Sequence, residues 1–170
     1  MKTPRRIQFG TAKDVPNSKL PVLLFRRVLA ARASDKGRRF RQLFQQNGWT
    51  GLWTDTIYDY THFHSNAHEV LGIAAGSARV RLGGEQGQTV ELFAGDIVVI
   101  PAGVAHKRES ASADLLVIGA YPKGQHPDIC RAEPGARGKA LGNIAAVPLP
   151  AADPVTGGAE PLLACWRETR

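Results

Sequence analysis

The sequence predicts an all-β fold, an antiparallel sandwich or barrel, and two observations support this. Between Trp49 and Tyr121, short apolar runs are separated by turns that contain glycine, and regular punctuation of this kind is typical of antiparallel β architectures. Within Ala78–Leu82, apolar and arginine side chains alternate, as they do on a strand with one buried face. The predicted strands are Trp53–His64, Glu69–Ala75, Ala78–Leu82, Val90–Phe93, Ile97–Ile100 and Leu115–Tyr121.

Residues 1–48 precede this region and are predicted to form an N-terminal arm with one strand and one helix. Pro21–Ala30 is rich in apolar and branched residues, which favours a strand. Ser34–Gly48 has the pattern of a surface helix, because Phe40, Leu43 and Phe44 recur at helical spacing. Ser34 or Asp35 can cap its start, and Gly48 can end it.

The strands from residue 49 to 121 are expected to form the barrel core, and residues 122–170 a C-terminal extension. This last segment holds 7 of the 11 prolines and many glycines and alanines, which argues against a second core. We therefore expect an extended tail that packs on the barrel or on a partner subunit. Leu162, Leu163 and Trp166 can anchor its end.

Charge and composition exclude several classes of protein. The net charge of +7 comes from the first 45 residues, which carry 12 of the 22 Lys and Arg but only 2 of the 15 Asp and Glu. No aromatic residues interleave with these basic pairs, so we expect no nucleic-acid partner. No apolar run approaches the roughly 20 residues of a membrane helix, and no secretory signal pattern follows the N-terminus. We expect a cytoplasmic protein without a membrane partner, in which Cys130 and Cys165 are reduced thiols.

Two clusters of polar residues carry the predicted chemistry. His62 and His64 are two residues apart, so on a strand they share a face. Four residues later Glu69 begins the next predicted strand, and a hairpin can bring its carboxylate beside the two imidazoles. Some forty residues further on, a turn at Pro101–Gly103 delivers His106 on a returning strand.

Three imidazoles and one carboxylate make a mixed nitrogen and oxygen site. Such a site suits one divalent transition metal, namely Fe, Mn, Ni, Co, Cu or Zn, better than Ca²⁺ or Mg²⁺. An octahedral metal held by four protein ligands keeps two positions for water, O₂ or substrate oxygens. The other interpretation is a metal-free barrel in which His62 or His106 acts as an acid–base group.

These residues resemble the two motifs of the cupin superfamily. The first motif is His-x-His, three or four residues, Glu, six residues, Gly, and it matches His62, His64, Glu69 and Gly76. The second is Gly, five residues, Pro-x-Gly, two residues, His, and it matches Gly95–His106. The segment HFHSNAHEVLG and the later YPKGQHPD also resemble a group of small single-domain cupins without a characterised function.

The resemblance implies a double-stranded β-helix, the jelly-roll barrel of RmlC-like cupins, with His62, His64, Glu69 and His106 as metal ligands. It covers residues 50–121. The sequence departs from the family pattern at two places outside the ligand set: Thr56 replaces the glycine that opens the first motif, and Ser110 replaces the asparagine that closes the second.

Three further residues, Tyr58, Tyr60 and His68, are the candidates for the pocket. A one-residue slip would exchange Glu69 for His68 on the inward face, and the family pattern favours Glu69. Counting back by twos from His62 places Tyr60, Tyr58, Thr56 and Thr54 on the same face, which suggests a pocket for a small polar ligand.

The opposite face of this predicted strand carries Trp53, Ile57 and Phe63, which can pack on the helix, the tail or a partner. A homodimer is the expectation for such a surface. Two functions then remain open. One is a metal-dependent enzyme of dioxygenase or isomerase type that acts on a small polar molecule, and the other is a non-catalytic module that binds a small ligand or a metal. The fold alone does not distinguish them.

Overall fold

The structure of the protein is a computed structural model that describes residues 3–169. The strands of the described chain are β1 (Arg5–Phe9), β2 (Ser18–Phe25), β3 (Trp49–Asp55), β4 (His62–Phe63), β5 (Glu69–Ala75), β6 (Ser77–Leu82), β7 (Gln88–Phe93), β8 (Ile97–Ile100), β9 (His106–Ala111), β10 (Leu116–Pro122) and β11 (Cys130–Arg131). Its helices are α1 (Lys36–Gln46), α2 (Ala136–Ala146) and α3 (Leu162–Arg167).

The strands form two antiparallel sheets that enclose an apolar interior. The larger sheet has the order β1-β2-β8-β5-β10-β3, and the smaller has the order β11-β4-β9-β6-β7. Side chains from both sheets meet between them, among them Leu71, Ile73, Val80, Leu92 and Val117. The predicted all-β jelly-roll fold is confirmed. Strands β5 and β8 have the predicted bounds, and Ala78, Val80 and Leu82 of β6 are buried as their alternation indicated.

The outer face of the larger sheet is also covered, which explains why β5 and β8 are apolar on both faces. Helix α1 lies there, and its Phe40 and Phe44 are fully buried. Gly72 of β5 makes this contact possible, because a Cβ atom at that position would lie 2.9 Å from the ring of Phe40. Asp35 caps α1 by accepting a hydrogen bond from the backbone N–H of Arg38.

The N-terminal segment supplies two strands to the larger sheet as well as the helix. Strand β2 pairs with β8, and β1 pairs with β2. The sequence indicated the strand at β2 but not the one at β1, whose run Arg5–Phe9 is too short and too basic to show a clear alternation.

The C-terminal segment contains two helices and a short strand, whereas an extended tail was expected. Helix α2 carries two glycines and buries only Ala140, so its sequence lacks the apolar stripe that predicts a helix. Helix α3 buries Leu162, Leu163 and Trp166 on the outer face of the larger sheet, and the indole N–H of Trp166 donates to the carbonyl of Pro21. Among the described residues, the helices are all too short or too polar to cross a membrane.

Candidate metal centre

Two strands of the smaller sheet carry the three histidines. His62 begins β4 and lies directly opposite His106, which begins β9. His64 follows β4, and because side chains alternate along extended backbone it faces the same side as His62. Phe63 faces the opposite side and packs on Val15, Ala105 and Ala140. The three imidazoles thus point into the interior between the sheets, and all three are buried.

The ring nitrogens of these histidines that could hold a metal ion converge. The ligand atoms of His62, His64 and His106 lie within 4.8 Å of one another, and the rings of His62 and His106 have their centroids 4.1 Å apart. One ion of first-row size can contact atoms at such separations, since metal–nitrogen bonds are about 2.0–2.1 Å long.

Glu69 joins the histidines from the larger sheet. It is the first residue of β5, and its Oε2 lies 3.3 Å from Nε2 of His64 and 3.1 Å from Nε2 of His106. Within the part of the chain that the structure describes, neither Glu69 Oε2 nor His64 Nε2 has a partner with hydrogen-bond geometry, although both are buried. Buried polar atoms of this kind carry a free-energy cost that a bound cation relieves, so the residues fit a metal ion.

The other ring nitrogen of each histidine faces a backbone carbonyl. Nδ1 of His62 lies 3.1 Å from the carbonyl oxygen of Tyr60, and Nδ1 of His106 lies 3.1 Å from that of Val104. Nδ1 of His64 faces the carbonyl oxygen of Asp128. A carbonyl can only accept, so each Nδ1 carries the proton and each Nε2 presents its lone pair to the interior, as in metal-ligating histidines.

The protonation states of His62 and Glu69 agree with this arrangement. Burial, together with the nearby His106, lowers the pKa of His62 to about 3, so this imidazole is neutral. Burial would raise the pKa of Glu69, but His64 and His106 hold it well below its usual range. Burial would lower the pKa of His64, but Glu69 raises it, so this imidazole holds a proton more readily than an ordinary histidine and a bound metal ion would have to displace that proton. Neutral imidazole and ionised carboxylate are the forms that bind metal.

A cavity of about 260 Å³ opens from the four polar residues to solvent. Tyr121 and Trp53 form one wall, where the indole N–H donates to the hydroxyl oxygen of Tyr121 over 2.9 Å. The Trp53 ring lies so close to Gly119 that a Cβ atom there would be 1.9 Å from it. The residues that line the cavity are Trp53, Thr54, Asp55, Thr56, Ile57, Tyr58, His62, His64, Glu69, Leu71, His106, Tyr121, Pro127 and Ile129.

The expected inward face of residues 54–62 is found only in part. Thr54, Thr56 and Tyr58 line the cavity, but Tyr60 does not. Its ring stacks on Tyr58 and lies under the guanidinium of Arg131. The reason is that β3 ends at Asp55 and residues 56–61 form a loop, so alternation by two does not continue to His62.

Trp53 and Ile57 line the cavity, although counting by twos placed them on the opposite face. His68 lies outside the cavity. Its Nδ1 accepts a hydrogen bond from the backbone N–H of Ala102, and its ring packs on Trp166 with centroids 4.7 Å apart. His126 is exposed on a loop.

Sequence reasoning missed Asp128, which connects the C-terminal segment to the histidines. Its carbonyl accepts from His64, and its carboxylate accepts from the backbone N–H of Ser65 over 2.7 Å and from the Ser65 hydroxyl. Asn143 of α2 donates to the same hydroxyl over 3.1 Å, and Asn66 accepts from the backbone N–H of Asp128. No spacing rule connects residues 64 apart in sequence, so only the fold reveals this contact.

Comparison with known proteins identifies relatives of the chain. Residues 52–119 match the family model described as "Cupin domain". The uncharacterised protein YjlB of Bacillus subtilis (strain 168) is 40% identical over 153 residues, which cover 89% of this chain and 90% of the relative.

Solved structures give more distant similarities. An acireductone dioxygenase from Bacillus anthracis with a cadmium ion in its active centre is 17% identical with a TM-score of 0.39, and the match covers 54% of this chain and 63% of that one. A DUF861 family protein from Thermotoga maritima is 17% identical with a TM-score of 0.33, over 51% of this chain and 92% of that one. Pumpkin seed globulin is 26% identical with a TM-score of 0.36, over 46% of this chain and 22% of that one.

Proposed function

This chain belongs to the cupin superfamily, and on that basis we propose that it binds one divalent transition metal through His62, His64, Glu69 and His106 to act on a small molecule. One observation carries the proposal. Three Nε2 atoms and one carboxylate oxygen converge from both sheets, while each Nδ1 is held by a backbone carbonyl. The donor set favours Fe, Mn, Ni, Co, Cu or Zn.

The adjoining cavity supports an enzymatic role. A bound metal of this kind acts as a Lewis acid and leaves positions for substrate oxygens or O₂. The apolar side chains of Ile57 and Leu71 exclude water beside the four ligands. Tyr121 stays protonated, because burial and the charge of Glu69 raise its pKa, and its hydroxyl can donate to a ligand in the cavity. A dioxygenase-type oxidoreductase or an isomerase fits these features.

A second candidate is a non-catalytic module that binds a small ligand or a metal. The cavity wall favours this candidate in one respect. Apart from the four proposed ligands, the titratable groups among the described lining residues are Asp55, Tyr58 and Tyr121, and Asp55 lies exposed at the end of β3. The wall therefore lacks a buried base dedicated to proton abstraction, which many isomerisations require.

The metal content of the protein tests the proposal first. The protein is purified without added metal or a histidine tag, and elemental analysis is compared between the parent chain, His62→Ala and His106→Ala. His126→Ala is the matched control, because His126 is an exposed loop histidine. We expect about one transition metal per chain in the parent and the control, and loss of that metal in the two variants.

If no metal is found in the parent and none binds on reconstitution, the proposal is wrong. The identity of the metal directs the next assay. Iron would direct work to O₂ consumption, whereas zinc, nickel or manganese would direct it to isomerisation or hydrolysis.

We also propose that the protein is a homodimer. Phe93, at the end of β7, is 51% exposed and Leu116, at the start of β10, is 38% exposed, and a second copy could cover such side chains. Light scattering at micromolar protein concentration measures the mass directly, and a monomer would contradict this part of the proposal.

A further inference from the structure

The wall of the cavity indicates which ligands the site accepts. We propose that the ligand is a small molecule with a pair of metal-binding oxygens whose other end is uncharged or cationic, and that molecules with an anionic group at that end are selected against. This inference rests on the proposed metal function and adds a ligand class to it.

The charges in the cavity are distributed unevenly. At the inner end lie the three histidines and Glu69, where a divalent ion would give a small net positive charge. Away from that end the lining includes Trp53, Pro127 and Ile129, with Thr54, Thr56 and one acidic residue, Asp55. Across the described chain, neither lysine nor arginine contributes to this lining.

Three arginines lie near the cavity, but none of them is among its described lining residues, and Arg131 is stacked on the ring of Tyr60. Arg41 of α1 donates to the hydroxyl of Thr54 over 3.0 Å, and Nε of Arg108 donates to the carbonyl oxygen of Ile57 over 2.9 Å. An anionic group at the outer end of the cavity would lose water with neither lysine nor arginine among the described lining residues, and it would be repelled by Asp55. The wall thus disfavours a carboxylate or phosphate at this end of the ligand.

A cationic group finds three favourable partners in the same region. Tyr58 is 47% exposed, and its ring meets His62 edge-on with centroids 5.1 Å apart, so it extends from the inner end towards the mouth. The faces of Trp53 and Tyr58 can attract a cation, and the carboxylate of Asp55 adds a charge of opposite sign. An uncharged ligand gains apolar contact from the same aromatic rings.

The volume limits the size of the ligand. The cavity of about 260 Å³ lies just below the range of about 300–1,000 Å³ that is usual for drug-sized ligands. A molecule with a single ring, or a short chain of similar size, can therefore place two oxygens at the inner end and its remaining group near Asp55.

Three catechols whose ring substituents differ in charge test the inference. Protein loaded with one zinc ion, which is redox-inactive, is titrated calorimetrically at pH 7 with catechol, with dopamine and with 3,4-dihydroxybenzoate. We expect dopamine to bind at least as tightly as catechol, and 3,4-dihydroxybenzoate to bind about tenfold more weakly than dopamine. The ratio of the dissociation constants of 3,4-dihydroxybenzoate and dopamine should decrease as ionic strength rises, because the mouth of the cavity is open to solvent and charges there are screened.

Variants of Asp55 test the effect of its charge on ligand preference separately from any effect on metal binding. Asp55→Asn should reduce the dopamine preference to about threefold, and Asp55→Lys should reverse it in favour of 3,4-dihydroxybenzoate, while the zinc affinity stays the same in both. If the preference for dopamine over 3,4-dihydroxybenzoate is the same in the parent and in both variants, Asp55 does not contribute to ligand selection.

The outcomes distinguish this inference from the proposed function. Failure of the parent protein to bind zinc would overturn the proposed function, and this inference with it. Normal zinc binding, followed by equal or tighter binding of 3,4-dihydroxybenzoate than of dopamine, would overturn the ligand class alone. Normal zinc binding without binding of any of the three catechols would also overturn the ligand class alone.

Discussion

His62 and His106 differ from His64 in how their rings are oriented. The first two direct Nδ1 to carbonyls only two residues earlier in the chain, those of Tyr60 and Val104. His64 directs Nδ1 to the carbonyl of Asp128, which lies in the C-terminal segment. Two of the proposed ligands are thus oriented by the residues that immediately precede their strands, and the third depends on a distant part of the chain.

By this difference, the matched domain does not contain every residue that shapes the proposed metal site. Residues 52–119, which match the cupin model, contain all four proposed ligands, but the group that orients His64 lies outside them. Because partners that orient a ligand commonly change metal affinity by 10–100-fold, the C-terminal segment is expected to tune the metal. The following substitutions test the contrast between local and distant orientation.

The largest effect is expected at the far end of the C-terminal segment. Trp166→Ala removes a fully buried indole from the outer face of the larger sheet and should lower the free energy of unfolding by about 3–5 kcal/mol. In the protein that remains folded, the metal affinity should change by less than about twofold, because the described contacts of the Trp166 side chain are with His68 and Pro21 and not with one of the four proposed ligands. Chemical denaturation and metal titration measure the two quantities. A large loss of affinity would show that the whole extension, and not residues 127–131, orients the ligand.

Asp128→Ala should weaken metal binding by about 10–100-fold, because the carboxylate that fixes Ser65, and with it the position of the Asp128 carbonyl, is lost. Competition with a fluorescent chelator measures the dissociation constant. Glu133→Gln is the matched control, since it removes an exposed carboxylate from the same segment. Equal affinity in Asp128→Ala and the control would contradict distant orientation of His64.

Ser65→Ala should weaken metal binding by only about threefold. The substitution removes the hydroxyl that links Asp128 to Asn143, but the backbone N–H of Ser65 still donates to Asp128. The same competition assay measures the change. An effect as large as that of Asp128→Ala would mean that the Ser65 hydroxyl, rather than the Ser65 backbone N–H, fixes the position of Asp128.

The smallest effect is expected for Tyr60→Phe, which should leave metal and catechol affinities within about twofold of the parent. The carbonyl of Tyr60 orients His62, but its hydroxyl lies on a side chain outside the cavity. Calorimetry with zinc-loaded protein measures the catechol affinity. A marked loss of catechol affinity would show that the Tyr60 side chain belongs to the ligand site.

Much of the candidate site could be predicted from the sequence, because it depends on local rules. The two-residue period of extended backbone brings His62 and His64 to one face, and a short turn returns the chain at Glu69. The parts that were missed depend on contacts between distant segments. Nothing near Tyr60 in the sequence signals that β3 ends at Asp55. Helix α2 lacks an apolar stripe, and Asp128 is recognisable only by its position beside His64.

The close contact between Trp53 and Gly119 restricts the order in which substitutions at these two positions can be tolerated in this chain. With the indole in place, any side chain at position 119 would collide with it, since a Cβ atom would lie 1.9 Å from the ring. A lineage must therefore replace Trp53 with a smaller residue before it can lose the glycine. Replacing Trp53 would also remove its hydrogen bond to Tyr121 and widen the cavity. The range of ligands that fit the cavity would therefore change before position 119 could accept a side chain.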